Sequence, residues 1–215
     1  MIRTDWRGRL GRLLRLDHLS IGDVRKSWDV LQTAQFIEGR LGKDEPIVDF
    51  GAFHSEITGV LFRTGYTNLH AVDLNPRLAG GPNRDRITYT VGDFLDTGFA
   101  DGTFAAITAI SAIEHGHSID RLLSEVSRLL KPGGYFIGST DYWPRKIDTR
   151  GIEIFGMEWT VFSAPEMERL FEAARGQGLA PAGPTDYRAD APVVAFAGKR
   201  YTFAWFALQK QTGRP

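Results

Sequence analysis

The segment Ile47-Val48-Asp49-Phe50-Gly51-Ala52-Phe53-His54-Ser55 constrains the rest of the chain more than any other stretch. An apolar run carrying one aspartate enters a glycine, small and polar residues follow, and a helix-forming run extends from Glu56 to Arg63. This is the pattern of a buried parallel strand, a tight turn and a helix start, a junction that presents backbone N–H groups to a ligand at the end of a sheet. Asp73 lies 22 residues past Gly51, at the end of a second strand predicted over Leu69-His70-Ala71-Val72. An acid placed there can accept hydrogen bonds from the hydroxyls of a ribose. Strand, glycine turn, helix, strand and acid together form one nucleoside-binding unit.

The remainder continues the alternation. Strands are predicted over 87–91, 104–110, 135–139 and 201–208, and helices over 55–65, 118–130 and 164–176. Pro132-Gly133-Gly134 is expected to stop the helix that carries Leu122, Leu123, Val126, Leu129 and Leu130 on one side, and Ser163 with Glu166 forms a capping box for the next. Strands spaced by helices imply a doubly wound, mainly parallel α/β sheet. Ahead of it, Trp6, Leu10, Leu13 and Leu14 follow helical spacing among five arginines, and a second helix is predicted from Val24 to Leu41. The arginines read either as a grip on an anion or as the solvated face of a packed helix. The chain thus divides into an N-terminal helical extension over 1–45, suited to a lid or a dimer surface, and a ligand-binding domain over 46–215. A homo-oligomer is compatible with that layout.

Composition narrows the function classes. With 26 basic and 26 acidic residues the 215-residue chain has no net charge, which argues against a nucleic-acid binder. It has no cysteine, hence no disulfide framework and no thiolate metal site. No apolar run approaches the roughly 18 residues of a membrane helix, and the N-terminus lacks the apolar core of a signal peptide. These features are those expected of a cytoplasmic protein.

Four segments carry a family resemblance: Val48-Asp49-Phe50-Gly51; Ala71-Val72-Asp73-Leu74-Asn75-Pro76; Gly92-Asp93-Phe94 with Phe99-Ala100-Asp101-Gly102-Thr103-Phe104 and Ile113-Glu114-His115; and Glu125-Val126-Ser127-Arg128-Leu129-Leu130-Lys131-Pro132-Gly133-Gly134-Tyr135-Phe136. In this order and spacing they resemble the class I S-adenosylmethionine-dependent methyltransferases over about residues 46–180. The resemblance implies a mainly parallel seven-stranded, Rossmann-like sheet and an S-adenosylmethionine cofactor. It also implies roles. Asp49 and the backbone of Gly51, Ala52 and Phe53 would hold the methionine part, Asp73 with Leu74 the ribose, Asp93 and Phe94 the adenine, and Ser111 the region of the sulfonium. Each acid also has a purely structural reading: a turn cap for Asp49 and Asp93, a helix N-cap for Asp73.

The first motif departs from the family's D-x-G-x-G-x-G, because Phe53 and Ser55 stand where glycines are usual. A degenerate member that binds a nucleotide or a partner without catalysis is therefore the alternative reading. The same departure counts strongly against a nicotinamide fingerprint. On the acceptor side, His115 in Glu114-His115-Gly116-His117 is the first candidate base, with a structural role as its competing reading, and Asp141 is the second. The histidine pair also suggests a metal, but no further carboxylate cluster accompanies it, so none is expected. Tyr142, Trp143, Arg145 and Trp159 are candidate substrate contacts: aromatics interleaved with charges suit a polar, ring-bearing small molecule such as a sugar, methylated on oxygen. The competing reading makes these aromatics a cover for the core.

Overall fold

A computed structural model describes residues 27–213. The helix expected over 1–16 and the start of the one expected from Val24 lie outside these residues. The first described helix, α1 (Ser27–Glu38), precedes β1 (Ile47–Phe50), α2 (Ile57–Arg63), β2 (Leu69–Asp73), a 3-10 turn at Pro76–Gly80, β3 (Ile87–Val91), β4 (Phe104–Ile110), α3 (Ile119–Leu129) and β5 (Leu130–Tyr142). A small hairpin follows, β6 (Glu153–Ile154) and β7 (Met157–Glu158), then α4 (Ala164–Gly176), β8 (Leu179–Pro181), β9 (Val194–Phe196) and β10 (Lys199–Lys210).

The strands run β3-β2-β1-β4-β5-β10-β8 across one sheet, with β9 paired to β10 as an eighth strand. The first five of these are parallel to their neighbours, and β10 is antiparallel to β5 and β8. Seven strands on the continuous path match the expected doubly wound sheet; β9 is the addition. β1 and β4 lie side by side at the centre, and every residue of both is buried, as befits strands covered on both faces. The strand order reverses between them, so their carboxyl ends bound the crevice where such sheets take ligands.

Helices close both faces. On one, α3 and α4 place Leu122, Leu123, Val126, Met167, Leu170 and Phe171 over Val48, Phe50, Ile107 and Phe136. On the other, α1 and α2 place Val30, Ala34, Ile37, Ile57, Val60 and Leu61 over Ile47, Ala106 and Ile137. Each large aliphatic side chain so buried contributes about 1.5–3 kcal/mol. α1 is thus part of the sheet's own core. Ser139 Oγ donates to Asp29 Oδ2 at 2.7 Å and Trp205 Nε1 donates to Thr33 Oγ1 at 3.0 Å.

Two local expectations are corrected. α1 ends at Glu38, three residues before Leu41, where Gly39 and Arg40 turn the chain back on Gln35 and Ile37. Pro132-Gly133-Gly134 does not separate α3 from the next strand, because β5 already begins at Leu130, paired with Phe104. The irregular register between Phe104 and Ala106 absorbs the Pro-Gly-Gly segment, and Lys210 Nζ donates to the Ser127 and Leu130 carbonyls at the end of α3. β6, β7, β8 and β9 escaped the sequence reading because strands of two or three residues carry no measurable period.

Candidate active site

A cavity of about 760 Å³ opens at the carboxyl ends of β1, β2 and β4, within the range of small-ligand sites. Gly51, Asp73 with Leu74, and Ile110-Ser111-Ala112 bring the strand ends to it. Gly51 has φ +72, and a Cβ there would come within 2.7 Å of the Ala112 Cβ, so β1 and the loop after β4 meet at a place only glycine fits. The N–H groups that follow are turned inward. Gly51 N and Ala52 N donate to Val72 O at 3.0 and 3.2 Å, and Phe53 N donates to Asp73 Oδ2 at 3.0 Å.

That geometry revises the expected methionine cradle. The N–H groups of Gly51, Ala52 and Phe53 lock the turn onto β2, and Ala52 is buried against Ala71 and Leu78 rather than lining the cavity. Gly51 and Phe53 do line it. The Phe53 ring leans on the Ala52, Ala71 and Leu78 cluster, below the Arg77 guanidinium at 5.4 Å. α2 begins only at Ile57 and has seven residues, too short to give the site a strong helix dipole.

Asp49 lies beneath the cavity rather than in its wall. It is 2% exposed and accepts from Thr108 Oγ1 at 2.7 Å and Thr58 Oγ1 at 3.1 Å. Burial pushes its carboxyl up to about 6, against the opposing pull of these hydroxyls. Asp73 lines the cavity, with Oδ1 accepting from Asn75 N at 2.8 Å and Oδ2 from Phe53 N. A carboxylate has about four lone-pair sites, so capacity for further donors remains. Asp93 stays outside the wall. Its Oδ1 accepts from Leu95 N at 2.8 Å, the turn-forming role that was the structural alternative. Phe94 is in the wall, stacked on Phe50 at 5.3 Å and meeting the His117 ring edge-on at 4.6 Å. Burial lowers the His117 pKa. Ser111 sits at φ +50, with its N–H directed at Ser139 and its Oγ buried and unpaired. An orphaned hydroxyl facing a cavity marks a place where a ligand can complete the bonding.

The acceptor-side candidates divide sharply. His115 lines the cavity. Asp141, Tyr142, Trp143, Arg145 and Trp159 do not. Trp159 Nε1 donates to Asp141 Oδ2 at 2.7 Å, both groups being buried, and Trp143 packs on the cluster of Trp159, Val161 and Tyr201. Tyr142 donates its hydroxyl to Tyr187 O at 2.6 Å and lines a separate cavity of about 300 Å³ along β10. Arg145 is exposed and lines neither cavity. The β5–β7 aromatics thus close a core, because the polar tip of Trp159 finds its partner in the interior.

Residues the sequence reading passed over take their place: His54, Phe155, Met157 and, from α1, Val30. Phe155 stacks on His54 at 5.8 Å and meets His115 edge-on at 5.5 Å, and His54 meets Phe53 at 4.5 Å. The Phe155-Gly156 pair between short apolar neighbours was the one available hint of a turn. Among the described residues, no group of three or more His, Asp or Glu side chains is placed to hold a metal.

The glycine turn that a Cβ would fill, the acid at the end of β2, the flat Phe94 ring and the unpaired Ser111 hydroxyl fit a sulfonium nucleoside such as S-adenosylmethionine. A family model described as a methyltransferase domain matches residues 48–138. Among curated relatives, a demethylmenaquinone methyltransferase of Symbiobacterium thermophilum is 46% identical over 61 residues, 28% of this chain and 24% of that one. A sterol 24-C-methyltransferase of Yarrowia lipolytica is 44% identical over 52 residues, 24% of this chain and 14% of that one. The chain therefore matches less than a quarter of the length of these two relatives. The crystal structure of geranyl diphosphate C-methyltransferase from Streptomyces coelicolor A3(2), in complex with Mg2+, geranyl diphosphate and S-adenosyl-L-homocysteine, shares the fold: TM-score 0.63 at 21% identity, covering 94% of this chain and 93% of that one. The methyltransferase-domain match begins in β1 and ends in β5, and the sheet shares the fold of a solved methyltransferase along nearly its whole length.

Proposed function

We propose that the chain transfers a methyl group from S-adenosylmethionine to a small, largely apolar, ring-bearing molecule. The observation that carries this reading is the continuity of one cavity. The same space that reaches Gly51, Asp73, Phe94 and Ser111 is walled on its remaining sides by Phe53, His54, His115, Phe155 and Met157. A nucleoside donor and a flat apolar acceptor can therefore lie side by side.

S-adenosylmethionine supplies, when bound, a methyl group on positively charged sulfur that an acceptor oxygen or carbon can attack in line. The work of this chain is positioning. Asp73 accepts from the ribose hydroxyls with the lone pairs its two backbone donors leave over. Leu74 and Phe94 give the adenine an apolar bed, and the Ser111 hydroxyl is the polar group nearest the end of β4. Asp49 acts at one remove, holding β1 to β4 and α2 under the turn. His115 takes the proton that the acceptor loses.

A sugar acceptor loses the support of Tyr142 and Trp159, which are buried, and of Trp143, which packs on the Trp159 cluster. A wall of Phe and His rings suits unsaturated ring systems. The names of two relatives agree in direction, since demethylmenaquinone and sterols are apolar over most of their surface.

The test is calorimetric titration with S-adenosylhomocysteine, followed by incubation with S-adenosylmethionine and either a demethylated prenyl naphthoquinol or a hexose. Expected are micromolar binding of the nucleoside and methylation of the quinol over the sugar. Asp73→Asn should weaken nucleoside binding about 10- to 150-fold, the equivalent of one charge-assisted hydrogen bond. A folded wild-type protein that binds no S-adenosylhomocysteine would end this reading.

A further inference from the structure

We propose that Phe155 selects a planar, unsaturated ring as the acceptor, and that the β6–β7 hairpin is the device that presents it to the cavity. The inference rests on the methyl-transfer reading above and names the acceptor class of that site.

Ile154 pairs with Met157, so the hairpin loop consists of Phe155 and Gly156 alone. Both have positive φ, +57 and +76. Such a two-residue turn is served best by Asn, Asp or Gly at its first position. Phe155 instead holds a bulky side chain in the left-handed region, and the residue is 72% exposed. Backbone preference disfavours a phenylalanine here, and burial does not compensate. A strained, exposed aromatic of this kind belongs to function rather than stability.

Its surroundings show which function. The Phe155 ring lies nearly parallel to His54, at 23° and 5.8 Å, and stands at 70° to His115, at 5.5 Å. It lines the cavity together with Met157. The base of the hairpin is tied to the loop that carries His115: Thr160 N donates to Glu114 O at 2.9 Å, and Gly116 lies so close to Glu158 that a Cβ would meet its backbone N and O at 3.4 Å. Phe155 and His115 are therefore held in fixed relation. A flat ring sliding against Phe155 gains offset or edge-to-face contacts with the phenyl and imidazole rings, and lies beside the histidine that takes its proton. A saturated ring of the same skeleton gains only buried area.

The experiment uses the full chain saturated with S-adenosylhomocysteine and titrated with 2-naphthol and with decahydro-2-naphthol, its saturated counterpart. The wild-type protein is expected to bind the planar alcohol at least about fivefold more tightly. Phe155→Asn should abolish that preference, leave S-adenosylhomocysteine affinity unchanged, and keep or raise the melting temperature, because Asn suits the turn. Phe155→Tyr should retain the preference. Equal affinity for the two alcohols in the wild type, failure to bind either, or a preference that survives Phe155→Asn overturns the inference. So does a Phe155→Asn protein that melts well below the wild type, since Phe155 would then be a structural residue. No binding of S-adenosylhomocysteine by the wild type instead overturns the methyl-transfer reading on which the inference stands.

Discussion

Thr108 donates its hydroxyl to Asp49 Oδ1 at 2.7 Å, joining β4 to β1 across 59 residues of sequence directly beneath the ligand crevice. Thr58 closes the other side at 3.1 Å. These two hydroxyls do not compensate the loss of water: the carboxyl is pushed up to about 6 from an ordinary 3.8. The folded state therefore holds the proton more tightly than the unfolded chain. The stability this provides is fully present below the unfolded value and is lost as pH rises through the folded one. At neutral pH the ionised, buried Asp49 costs on the order of 3 kcal/mol. Asp49→Asn keeps the shape and one acceptor, so it should stabilise the fold at pH 7.5 and lose most of that advantage at pH 4. Urea denaturation at the two pH values measures it; an identical difference at both would show that Asp49 does not titrate between them.

Gly51→Ala should act on fold and site together. The added Cβ meets the Ala112 Cβ at 2.7 Å, in a backbone conformation with φ +72. Overpacking and left-handed strain together amount to about 2–5 kcal/mol. The shift moves the turn in which Phe53 N donates to Asp73 Oδ2, so S-adenosylhomocysteine affinity should fall by at least about tenfold. Ala112→Gly in the same chain should restore part of the stability by removing the clash, leaving the φ strain in place. Thermal melts of the single and double variants separate the two contributions.

The parts of this architecture legible in the sequence are those in which burial follows a period. β1 and β4 are apolar throughout because both faces are covered, and α3 shows its stripe of Leu122, Leu123, Val126 and Leu129. Gly51 and Asp73 were legible because a parallel sheet brings its ligand to strand ends. What composition could not tell was wall from core. Trp159 and Tyr142 look like ligand-stacking residues, yet each buries its ring and satisfies its polar tip inside, on Asp141 and the Tyr187 carbonyl. Conversely, Phe155 stands at a turn where phenylalanine is a poor choice, in a hairpin whose strands have two residues each. Its place over His54 and His115 follows from tertiary packing alone.

Ser139→Ala should reveal how α1 is coupled to the site. Ser139 Oγ donates to Asp29 Oδ2 at 2.7 Å and accepts from Ser111 N at 3.1 Å. Both Ser139 and Asp29 are fully buried. Removing the hydroxyl deprives a buried carboxylate of a donor, a cost of about 1–3 kcal/mol. It also loosens Ser111 at the end of β4, so S-adenosylhomocysteine affinity should fall several-fold along with the urea midpoint. A loss of stability with unchanged affinity would separate α1 from the site.

His115 and His117 share a loop and a cavity but should behave differently in turnover. His117 is held edge-on to Phe94, and burial lowers its pKa. Its neutral form is therefore the one the fold favours, a contribution present above the ordinary histidine range and lost as pH falls through the lowered value. It lines the cavity beside Phe94. His115 lies against Phe155 in the same cavity. With His115 as the base, His115→Gln should lower kcat by about 100- to 10,000-fold, leave S-adenosylhomocysteine affinity within twofold, and abolish the rise of rate with pH that a histidine base imposes. His117→Gln should keep that rise and change chiefly the affinity for the nucleoside. Rates measured from pH 5 to 9 on the two variants decide between them: a rise that survives His115→Gln assigns the proton transfer to another group, with His54 the next ring along the wall.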